Sequence, residues 1–408
     1  MKILHTSDWH LGQNFMGKKR DKEHEEFLDW LSDTVKEKNI DVVIISGDIF
    51  DTGAPPAYAQ EHYFNSFTKL RETVKKVIVI GGNHDSIALL KASKKLLEHL
   101  GVHVIAGDES PENCVISLEW DGKLHGVICA VPYLRDSVIR SNIASTTSEK
   151  EQALQEGMAR FYEKAFQKAK EIAKNKPIQI IATGHLTLQG ITLQDGEREI
   201  YIGKEKAITP KIFDPFDYVA LGHIHRYKEK SEHIYYSGSP IPLSFSEIDS
   251  CKNPENDSCK NPENDSCKKV LIVEFDEKKP KISSIKIPIF RHLFRIEGKG
   301  EEILKKLEEI KQKYKSAWVE VWLEDGKYVD KIREAVKDSN IEILAIRLKK
   351  SSSALTQEDV GIEELSEQSL NEIFEKKLQE ANIEDEQKLK ELFDKVIQEV
   401  ISDENYKN

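Results

Sequence analysis

The amino-acid sequence predicts an α/β fold in which helices cover a sheet with parallel strands, followed by a small α+β domain and a helical tail. The first observation is that short apolar runs alternate with amphipathic helices near the amino terminus, a pattern typical of parallel strands joined by helices. The second is the length of 408 residues, which exceeds one ordinary domain. The third is a change in charge: residues 351–408 hold 16 acidic but only 6 basic side chains.

The elements of the main domain follow from apolar spacing. Each predicted strand is a short apolar run, and each predicted helix carries apolar residues three and four positions apart. In chain order these are strand 3–6, helix 23–38, strand 41–46, helix 57–74, strand 77–80, helix 87–100, helix 150–174, strand 178–183 and strand 218–221. An antiparallel pair of strands, 269–275 and 281–289, is expected to close this domain at residue 290.

Residues 291–350 are predicted to form a separate α+β domain. Its expected elements are helix 301–314, strand 317–323, helix 329–336 and strand 341–348. An acidic linker begins at Ser351 and leads to two amphipathic helices, whose apolar stripes run from Leu370 to Leu378 and from Leu389 to Val400. These helices either dock in a groove of a partner or fold back on their own chain, and docking is favoured because a linker tethers them.

Composition excludes several classes of protein. With 39% hydrophobic and 32% charged residues, the chain can bury a core but holds no apolar run that could span a bilayer. The amino terminus lacks the apolar stretch of a signal peptide, so a cytoplasmic location is expected. The five cysteines include three in a tandem repeat of DSCKNPEN within residues 249–268. An inserted surface loop is favoured over a metal or redox loop, because three thiols without histidine match no zinc spacing.

Polar side chains follow five of the predicted strands, at the point where each strand ends. They are Asp8 and His10 after the first strand, Asp48 and Asp51 after the second, Asn83, His84 and Asp85 after the third, His185 after strand 178–183, and His223 and His225 after strand 218–221. Ligands of open α/β sheets bind beyond the carboxyl ends of the strands, so these side chains are expected to lie close together.

The residue types suit a centre of two metal ions. Carboxylate oxygen, amide oxygen and imidazole nitrogen bind manganese, iron or zinc, and no thiol is present in the set to favour a sulfur site. A carboxylate can bridge two ions, and Asp48 has the central position in the pattern. Two such ions activate one water and hold the oxygens of an in-line phosphoryl displacement. The sequence therefore predicts a phosphoester hydrolase.

The motifs DxH, GDxxD, GNHD, GH and GHxH, in this order, resemble those of the calcineurin-like metallophosphoesterases. The resemblance implies a sandwich of two mixed sheets flanked by helices. It also implies that Asp48 bridges two divalent ions, manganese by family precedent, with the other ligands divided between them. The implied ligands are Asp8, His10 and His225 for one ion and Asn83, His185 and His223 for the other. His84 would stabilise the transition state or protonate the leaving oxygen, Asp85 would orient His84, and Asp51 would support the site from outside.

Longer segments resemble the bacterial nuclease branch of this family: ILHTSDWHLGQ, SGDIFDTGAPP, and DYVALGHIHRY followed by YSGSPIPLSFSE. This resemblance implies 3′ to 5′ exonuclease action on duplex DNA ends and endonuclease action on single strands and hairpins. It also implies an ATPase partner that receives the carboxyl-terminal helices. Helices 57–74 and 87–100 would pair two copies of the chain, and the small domain would cap the site.

Two alternatives to a nuclease remain open. A phosphoesterase for a small phosphodiester or a phosphoprotein would carry the same site motifs, although the downstream domains then serve no obvious purpose. A non-catalytic subunit that binds DNA or the ATPase is disfavoured because no expected ligand is missing. Basic residues on loops near the site are candidates for phosphate contacts. These are Lys18, Lys19 and Arg20 after the first motif, and Lys204, Lys206 and Lys211 before His223.

Overall fold

A computed structural model describes residues 1–135, 147–174, 176–191, 207–250, 268–276, 279–324 and 326–349. The chain divides into two compact units, Met1–Lys349 and Lys350–Asn408, of which the second lies outside the described residues. The predicted acidic linker and partner-docking helices therefore lie outside the described residues. The same holds for the three repeat thiols Cys251, Cys259 and Cys267.

The strands alternate with helices along the described chain. The strands are β1 (Lys2–Thr6), β2 (Asn14–Phe15), β3 (Lys18–Lys19), β4 (Val42–Ser46), β5 (Lys76–Ile80), β6 (Val102–Ile105), β7 (Val115–Trp120), β8 (Lys123–Ala130), β9 (Gln179–His185), β10 (Tyr218–Gly222), β11 (Lys228–Ser231), β12 (Ile234–Tyr236), β13 (Lys269–Phe275), β14 (Pro280–Lys286), β15 (His292–Gly298), β16 (Ala317–Leu323) and β17 (Ile341–Leu348). The α-helices are α1 (Asp21–Glu37), α2 (Ala57–Leu70), α3 (Ile87–Glu98), α4 (Thr147–Ala173), α5 (Ser246–Ser250), α6 (Gly300–Lys313) and α7 (Val329–Val336).

Two six-stranded mixed sheets form the main domain. The first has the order β14–β13–β1–β4–β5–β6, with β1, β4, β5 and β6 parallel and the closing pair β13 and β14 antiparallel. The second has the order β11–β12–β10–β9–β8–β7, with β8, β9, β10 and β12 parallel. Two mixed sheets with helices outside them are the architecture that the motifs imply, so the predicted fold class is confirmed.

Alternating residues of the buried strands supply two cores. Ile3 and Ile44 face the second sheet, where they pack with its strands and with α4. Leu4 and Ile45 face the opposite way and pack against α1, α2 and α3. Strands buried on both faces read as continuous apolar runs, which explains the runs seen in the sequence. Each such fully buried side chain contributes about 1.5–3 kcal/mol relative to exposure, so both faces anchor the strand ends.

Within the unit Met1–Lys349, strands β15 to β17 form a parallel sheet covered by helices on one face, which is called the small domain below. Strands β15, β16 and β17 are parallel in that order, and α6 and α7 pack on one side over a core of their own. Leu293 and Trp318 point to the other side and pack with Phe15 and Phe245 of the main domain. This contact joins the small domain to the loop that follows the first polar motif.

The predicted elements agree with the structure to within a few residues, but several elements were not predicted: β15, the hairpin of β7 and β8, the short strands β2, β3, β11 and β12, and helix α5. Strand β15 was not predicted, because charged residues interrupt its alternation. The hairpin of β7 and β8 was also not predicted, although its turn carries a recognisable signal. Asp121 and Gly122 both have positive φ, of 51° and 73°, which is the geometry of an Asp-Gly hairpin turn. Among the described residues, no helix is long and apolar enough to cross a membrane.

Candidate metal centre

The polar residues that follow the five strands lie together at the carboxyl ends of the two sheets. One group consists of Asp8, His10 and His225, and a second group consists of Asp48, His185 and His223. Within each group, the potential ligand atoms all lie within 4.8 Å of one another. Oδ1 of Asn83 lies 2.9 Å from Nε2 of His185 and 3.2 Å from Nδ1 of His223, which places Asn83 in the second group. The structure thus brings together all seven side chains predicted as metal ligands.

The backbone at this centre is strained. Four of the seven residues are not glycine and yet have positive φ: Asp8 (53°), His10 (46°), Asp48 (49°) and His223 (92°). Such conformations cost on the order of 1–3 kcal/mol each and persist where the surrounding structure enforces them. Here the amide of Asp8 donates to the carbonyl of Gly47 at 3.0 Å, and the amide of His10 donates to that of Asp48 at 3.1 Å. The loops therefore hold one another in the strained conformation that aims these side chains inward.

Two glycines allow the loops to approach each other. A Cβ atom added at Gly82 would lie 2.2 Å from Oδ1 of Asp48, and one added at Gly222 would lie 2.0 Å from the carbonyl oxygen of Ser46. Any side chain at either position would push a ligand-bearing loop away from its neighbour. The glycines of the GNHD and GHxH motifs are thus needed for the convergence of the strand ends.

Two imidazoles are held through the nitrogen that faces away from Asp48. Nδ1 of His185 donates to the carbonyl of Ser46 at 2.9 Å, and Nδ1 of His10 lies 3.1 Å from Oδ1 of Asp51. With the proton on Nδ1 held in this way, Nε2 is the nitrogen that each ring offers to a metal ion, which would displace any second proton bound there. Nε2 of His10 is buried and has no hydrogen-bond partner among the described residues. A buried acceptor left in this way is costly unless a ligand binds it.

The carboxylates at the centre are fully buried. Burial alone would raise the pKa of Asp48, but the nearby His185 imidazole, whose Nε2 is 3.2 Å from Oδ2, holds that pKa well below its usual range. Burial lowers the pKa of His185, but the Asp48 carboxylate more than reverses this and raises it to about 9. Burial raises the pKa of Asp8. Asp48 is therefore ionised although its side chain is buried.

The donor set fits two divalent cations. It offers two carboxylates, an amide oxygen and four imidazoles, the donors that manganese, iron and zinc accept. Within the described part of the chain, no Lys or Arg nitrogen lies within 4 Å of Asp8 or Asp48. Buried carboxylates that face imidazoles, with no Lys or Arg beside them, suit a site that bound metal cations would neutralise.

Comparison with known proteins also indicates a phosphoesterase. The family model described as calcineurin-like phosphoesterase matches residues 1–227, which is more than half of the chain. The model described as Type 5 capsule protein repressor C-terminal domain, SbcD_C, matches residues 289–382. The SbcD subunit of the nuclease SbcCD from Escherichia coli strain K12 is 34% identical over 389 residues, covering 93% of this chain and 92% of that protein. The chain belongs to the SbcD family of calcineurin-like phosphoesterases.

Relatives from other bacteria match a shorter part. The SbcD nuclease subunit of Bacillus subtilis strain 168 is 34% identical over 259 residues, covering 62% of this chain and 65% of that protein. The protein of the same name from Rhodobacter capsulatus is 32% identical over 260 residues, covering 61% and 64%. Membership in the SbcD family identifies the chain as a metal-dependent nuclease of the phosphoesterase type.

His84 lies at the edge of the centre, and its surroundings differ from the prediction. Its ring centroid is 4.9 Å from that of His10, and its amide donates to Oδ1 of Asp48 at 2.9 Å. Asp85 was predicted to orient His84, but among the described residues its carboxylate accepts only the amides of Ile49, Phe50 and Gly82. The prediction for Asp85 is therefore corrected: it ties two loops together. Burial raises its pKa to about 6.

Asp51, rather than Asp85, orients the imidazole of His84. Its carbonyl accepts a hydrogen bond from Nδ1 of His84 at 2.7 Å, and its carboxylate contacts His10. One residue thus orients a predicted ligand and the predicted acid. The carbonyls of Asp51 and Ser46 were not predicted as parts of the site, because a main-chain contact leaves no mark on residue identity.

The basic residues predicted to contact DNA have different environments. Lys18 and Lys19 are exposed on the β2–β3 hairpin, where Lys18 pairs with Glu342 of the small domain and Lys19 lies 5.7 Å from the ring centroid of Tyr58. Arg20 is only 1% exposed, and its guanidinium donates to the carbonyl of Pro242 and lies near Glu23. The prediction of a DNA contact at Arg20 is therefore corrected to a structural role. Lys211 lies in the short helix Pro210–Phe213. Lys204 and Lys206 lie outside the described residues.

Proposed function

We propose that this chain is the nuclease subunit of an SbcCD complex and hydrolyses phosphodiester bonds of DNA with two manganese ions. The observation that carries the proposal is the pair of adjacent buried ligand groups, with His84 beside them and with fixed Lys or Arg partners lacking among the described residues. The names of the relatives at 34% identity support DNA as the substrate class and SbcC as the partner.

In this proposal seven side chains hold the two ions. Asp8, His10 and His225 bind one ion, Asn83, His185 and His223 bind the other, and Asp48 bridges them. Two bound divalent ions would supply an activated water and would neutralise the charge that develops on phosphate. The chain's own contribution is to fix the ligand atoms in advance, through strained loops and through the contacts of Nδ1 in His10 and His185.

His84 is proposed to be the acid that protonates the leaving oxygen, or the donor that stabilises the phosphate in the transition state. Because Nδ1 donates to the carbonyl of Asp51, Nε2 is the atom that meets the substrate. As an acid, His84 carries a proton on Nε2 as well as on Nδ1. When water adds to phosphorus and loses a proton to solvent, the bond to the leaving oxygen breaks, and that oxygen takes the proton from Nε2. The bond from the His84 amide to Asp48 keeps this acid at a fixed place relative to the centre.

Finer features are proposed from the family resemblance. They are 3′ to 5′ exonuclease action on duplex ends, endonuclease action on single strands and hairpins, and a role in DNA repair, recombination and replication in the cytoplasm. The proposed division is a nuclease domain of residues 1–290, a capping domain of residues 291–350, and a tail of residues 351–408 that docks on the SbcC ATPase. Two copies of the chain, paired through α2 and α3, would form an SbcC₂–SbcD₂ assembly.

The competing function is hydrolysis of a small phosphodiester or a phosphoprotein. The centre alone does not distinguish these substrates. DNA is favoured because the small domain joins the main domain at the hairpin that follows the first motif, where Lys18 and Lys19 are exposed. A surface of this kind, beside the centre rather than within it, suits a polymer better than a small ester.

The test is hydrolysis by the purified full chain of three substrates: end-labelled duplex DNA, a small bis-aryl phosphodiester and an aryl phosphomonoester. Each is assayed with and without Mn²⁺, and again after addition of SbcC and ATP. We expect Mn²⁺-dependent cleavage of DNA, and a loss of roughly 10²–10⁴-fold in His84→Ala, the range typical of general acid–base catalysis. His99→Ala is the matched control, because His99 is exposed at the end of α3.

The outcomes separate the candidate functions. Cleavage of the small esters with DNA left intact, even with SbcC and ATP present, would replace the nuclease by a general phosphoesterase. Binding of DNA with no hydrolysis of any substrate would favour the non-catalytic subunit. Equal losses in His84→Ala and His99→Ala would remove His84 from the mechanism.

A further inference from the structure

A buried ion pair lies directly behind the centre and was not predicted from the sequence. Glu247 of α5 is 3% exposed and Lys268, which precedes β13, is 5% exposed. The carboxylate of Glu247 and the ammonium of Lys268 are in direct contact. The two residues stand on either side of the segment that holds the DSCKNPEN repeat. They therefore bring the two ends of that segment together next to the site.

Lys268 also binds the main chain of His225. Its Nζ donates to the His225 carbonyl at 2.8 Å and to the hydroxyl of Ser239 at 2.7 Å. The amide of Ser239 donates to the same carbonyl at 3.0 Å. The position of His225 along its loop is thus held by a buried cation as well as by a backbone hydrogen bond.

Glu247 faces the imidazole of His225. Oε1 of Glu247 lies 3.6 Å from Nδ1 of His225 and accepts the amide of Leu243 at 3.1 Å. The carboxylate is therefore fixed by the main chain on one side and by Lys268 on the other. His225 meets this carboxylate through Nδ1, as His10 meets Asp51 through Nδ1. Both imidazoles belong to the same ligand group.

A buried ion pair is weak evidence of stabilisation, because the cost of removing two charges from water offsets their attraction. A carboxylate behind a metal-binding histidine has another use, since it sets the tautomer and orientation of the ring. We propose that Glu247 is a positioning residue that orients His225 toward the metal ion that it would share with Asp8 and His10. Lys268 holds both Glu247 and the His225 backbone in place. This inference rests on the metal role proposed for His225.

The experiment measures binding of Mn²⁺ alone, by calorimetry and by the electron paramagnetic resonance of the bound ions. Wild type is compared with Glu247→Gln and with the double variant Glu247→Gln/Lys268→Met, which leaves no unpaired buried charge. We expect one of two Mn²⁺ sites to weaken by about 10–100-fold in both variants, as for other partners of metal-binding histidines, with the other site unchanged. The signal of the coupled ion pair should then appear only at higher Mn²⁺ concentration.

Two further variants separate positioning from general stability. Glu247→Asp keeps the charge and should recover part of the Mn²⁺ affinity lost in Glu247→Gln. Glu320→Gln is the matched control, because Glu320 is a buried carboxylate paired with two arginines in the small domain. Wild-type Mn²⁺ affinity in Glu247→Gln and the double variant, or an equal loss in Glu320→Gln, would overturn the inference. Wild type that binds two Mn²⁺ ions but leaves DNA intact would refute the proposed function and leave this inference standing.

Discussion

Two buried carboxylates, Asp48 in the centre and Glu320 in the small sheet, are neutralised in opposite ways. Glu320 is 3% exposed and accepts hydrogen bonds from Nε of Arg295 at 2.7 Å and from Nε of Arg347 at 2.9 Å. Asp48 is 1% exposed and faces imidazoles and a main-chain amide. The small sheet compensates its carboxylate with permanent Arg cations, whereas the centre pairs Asp48 with imidazoles, whose protons a metal ion from solution would displace.

The other two buried glutamates among the described residues are also paired with Lys or Arg, as Glu320 is. Glu23 contacts Arg20 and Arg291, and Glu247 contacts Lys268. Among the described residues, the three buried glutamates thus each have a Lys or Arg partner, whereas the carboxylates of Asp8 and Asp48 in the centre have none. The contrast follows from the cost of an unpaired buried charge, which a protein tolerates where a ligand offsets it.

The largest expected effect is that of Asp48→Asn. Because Asn keeps an oxygen for the amide of His84 but removes the charge, Mn²⁺-dependent nuclease activity should fall about 10³-fold, which corresponds to roughly 4 kcal/mol of transition-state stabilisation. The thermal unfolding midpoint in the presence of a chelator should fall, because the lowered pKa of Asp48 means that the folded chain stabilises its charge, and His185 loses this partner. Activity within tenfold of wild type would contradict the bridging role.

The converse change is Glu320→Gln. It removes the shared partner of two arginines, of which Arg347 is about half exposed, so the loss of unfolding free energy should be about 2 kcal/mol. Urea unfolding measures this loss, and nuclease activity per folded molecule should remain that of wild type. A loss of activity larger than the loss of folded protein would mean that the small sheet acts on the centre directly.

The sequence allowed the ligand set to be predicted more fully than the supporting contacts. Strand ends and glycine-flanked motifs mark the places where side chains converge, so all seven predicted ligands lie together. Asp85 could not be told from a partner of His84, because the difference is whether its carboxylate meets a side chain or three main-chain amides. Arg20 looked like a loop cation, and only tertiary packing brings it to Glu23 and the Pro242 carbonyl. The Glu247–Lys268 contact joins residues separated by the repeat segment, which no local pattern indicates.

Buried histidines extend the comparison. Burial lowers the pKa of His5 to about 3, and its Nε2 donates to the Leu221 carbonyl while Nδ1 accepts from the Tyr218 hydroxyl. His185 is equally buried, but Asp48 raises its pKa to about 9. His5 is fully buried in the core. The same side chain is thus kept neutral in the core between the sheets and charged beside a ligand carboxylate.

This difference predicts an acid-dependent loss of stability. The pKa of His5 is lower in the folded chain than its unfolded value of 6.5, so below that pH the unfolded chain binds the extra proton and stability falls toward pH 3. Between pH 7.5 and 5.5 this contribution should be about 1 kcal/mol. The stability gap between wild type and His5→Gln, from urea unfolding, should narrow by that amount. The gap for His99→Gln, at an exposed position, should stay constant; an equally narrowing gap would assign the effect to other groups.

The smallest expected effect is that of deleting residues 251–266, two copies of the eight-residue repeat, which leaves Asp249-Ser250-Cys267-Lys268 joined as DSCK. Because Glu247 and Lys268 are already in contact, the ends of the removed segment lie close together, and closing a shorter loop costs little. Nuclease activity, Mn²⁺ affinity and unfolding free energy should therefore match wild type. A folded deletion variant without nuclease activity would show that the repeat itself takes part in catalysis. A variant that loses Mn²⁺ affinity as Glu247→Gln is expected to lose it would instead show that the deletion has pulled the ion pair apart. Titration with Mn²⁺ distinguishes these two outcomes. The deletion therefore tests whether the contact between Glu247 and Lys268 keeps the geometry of the centre independent of the length of the segment between them.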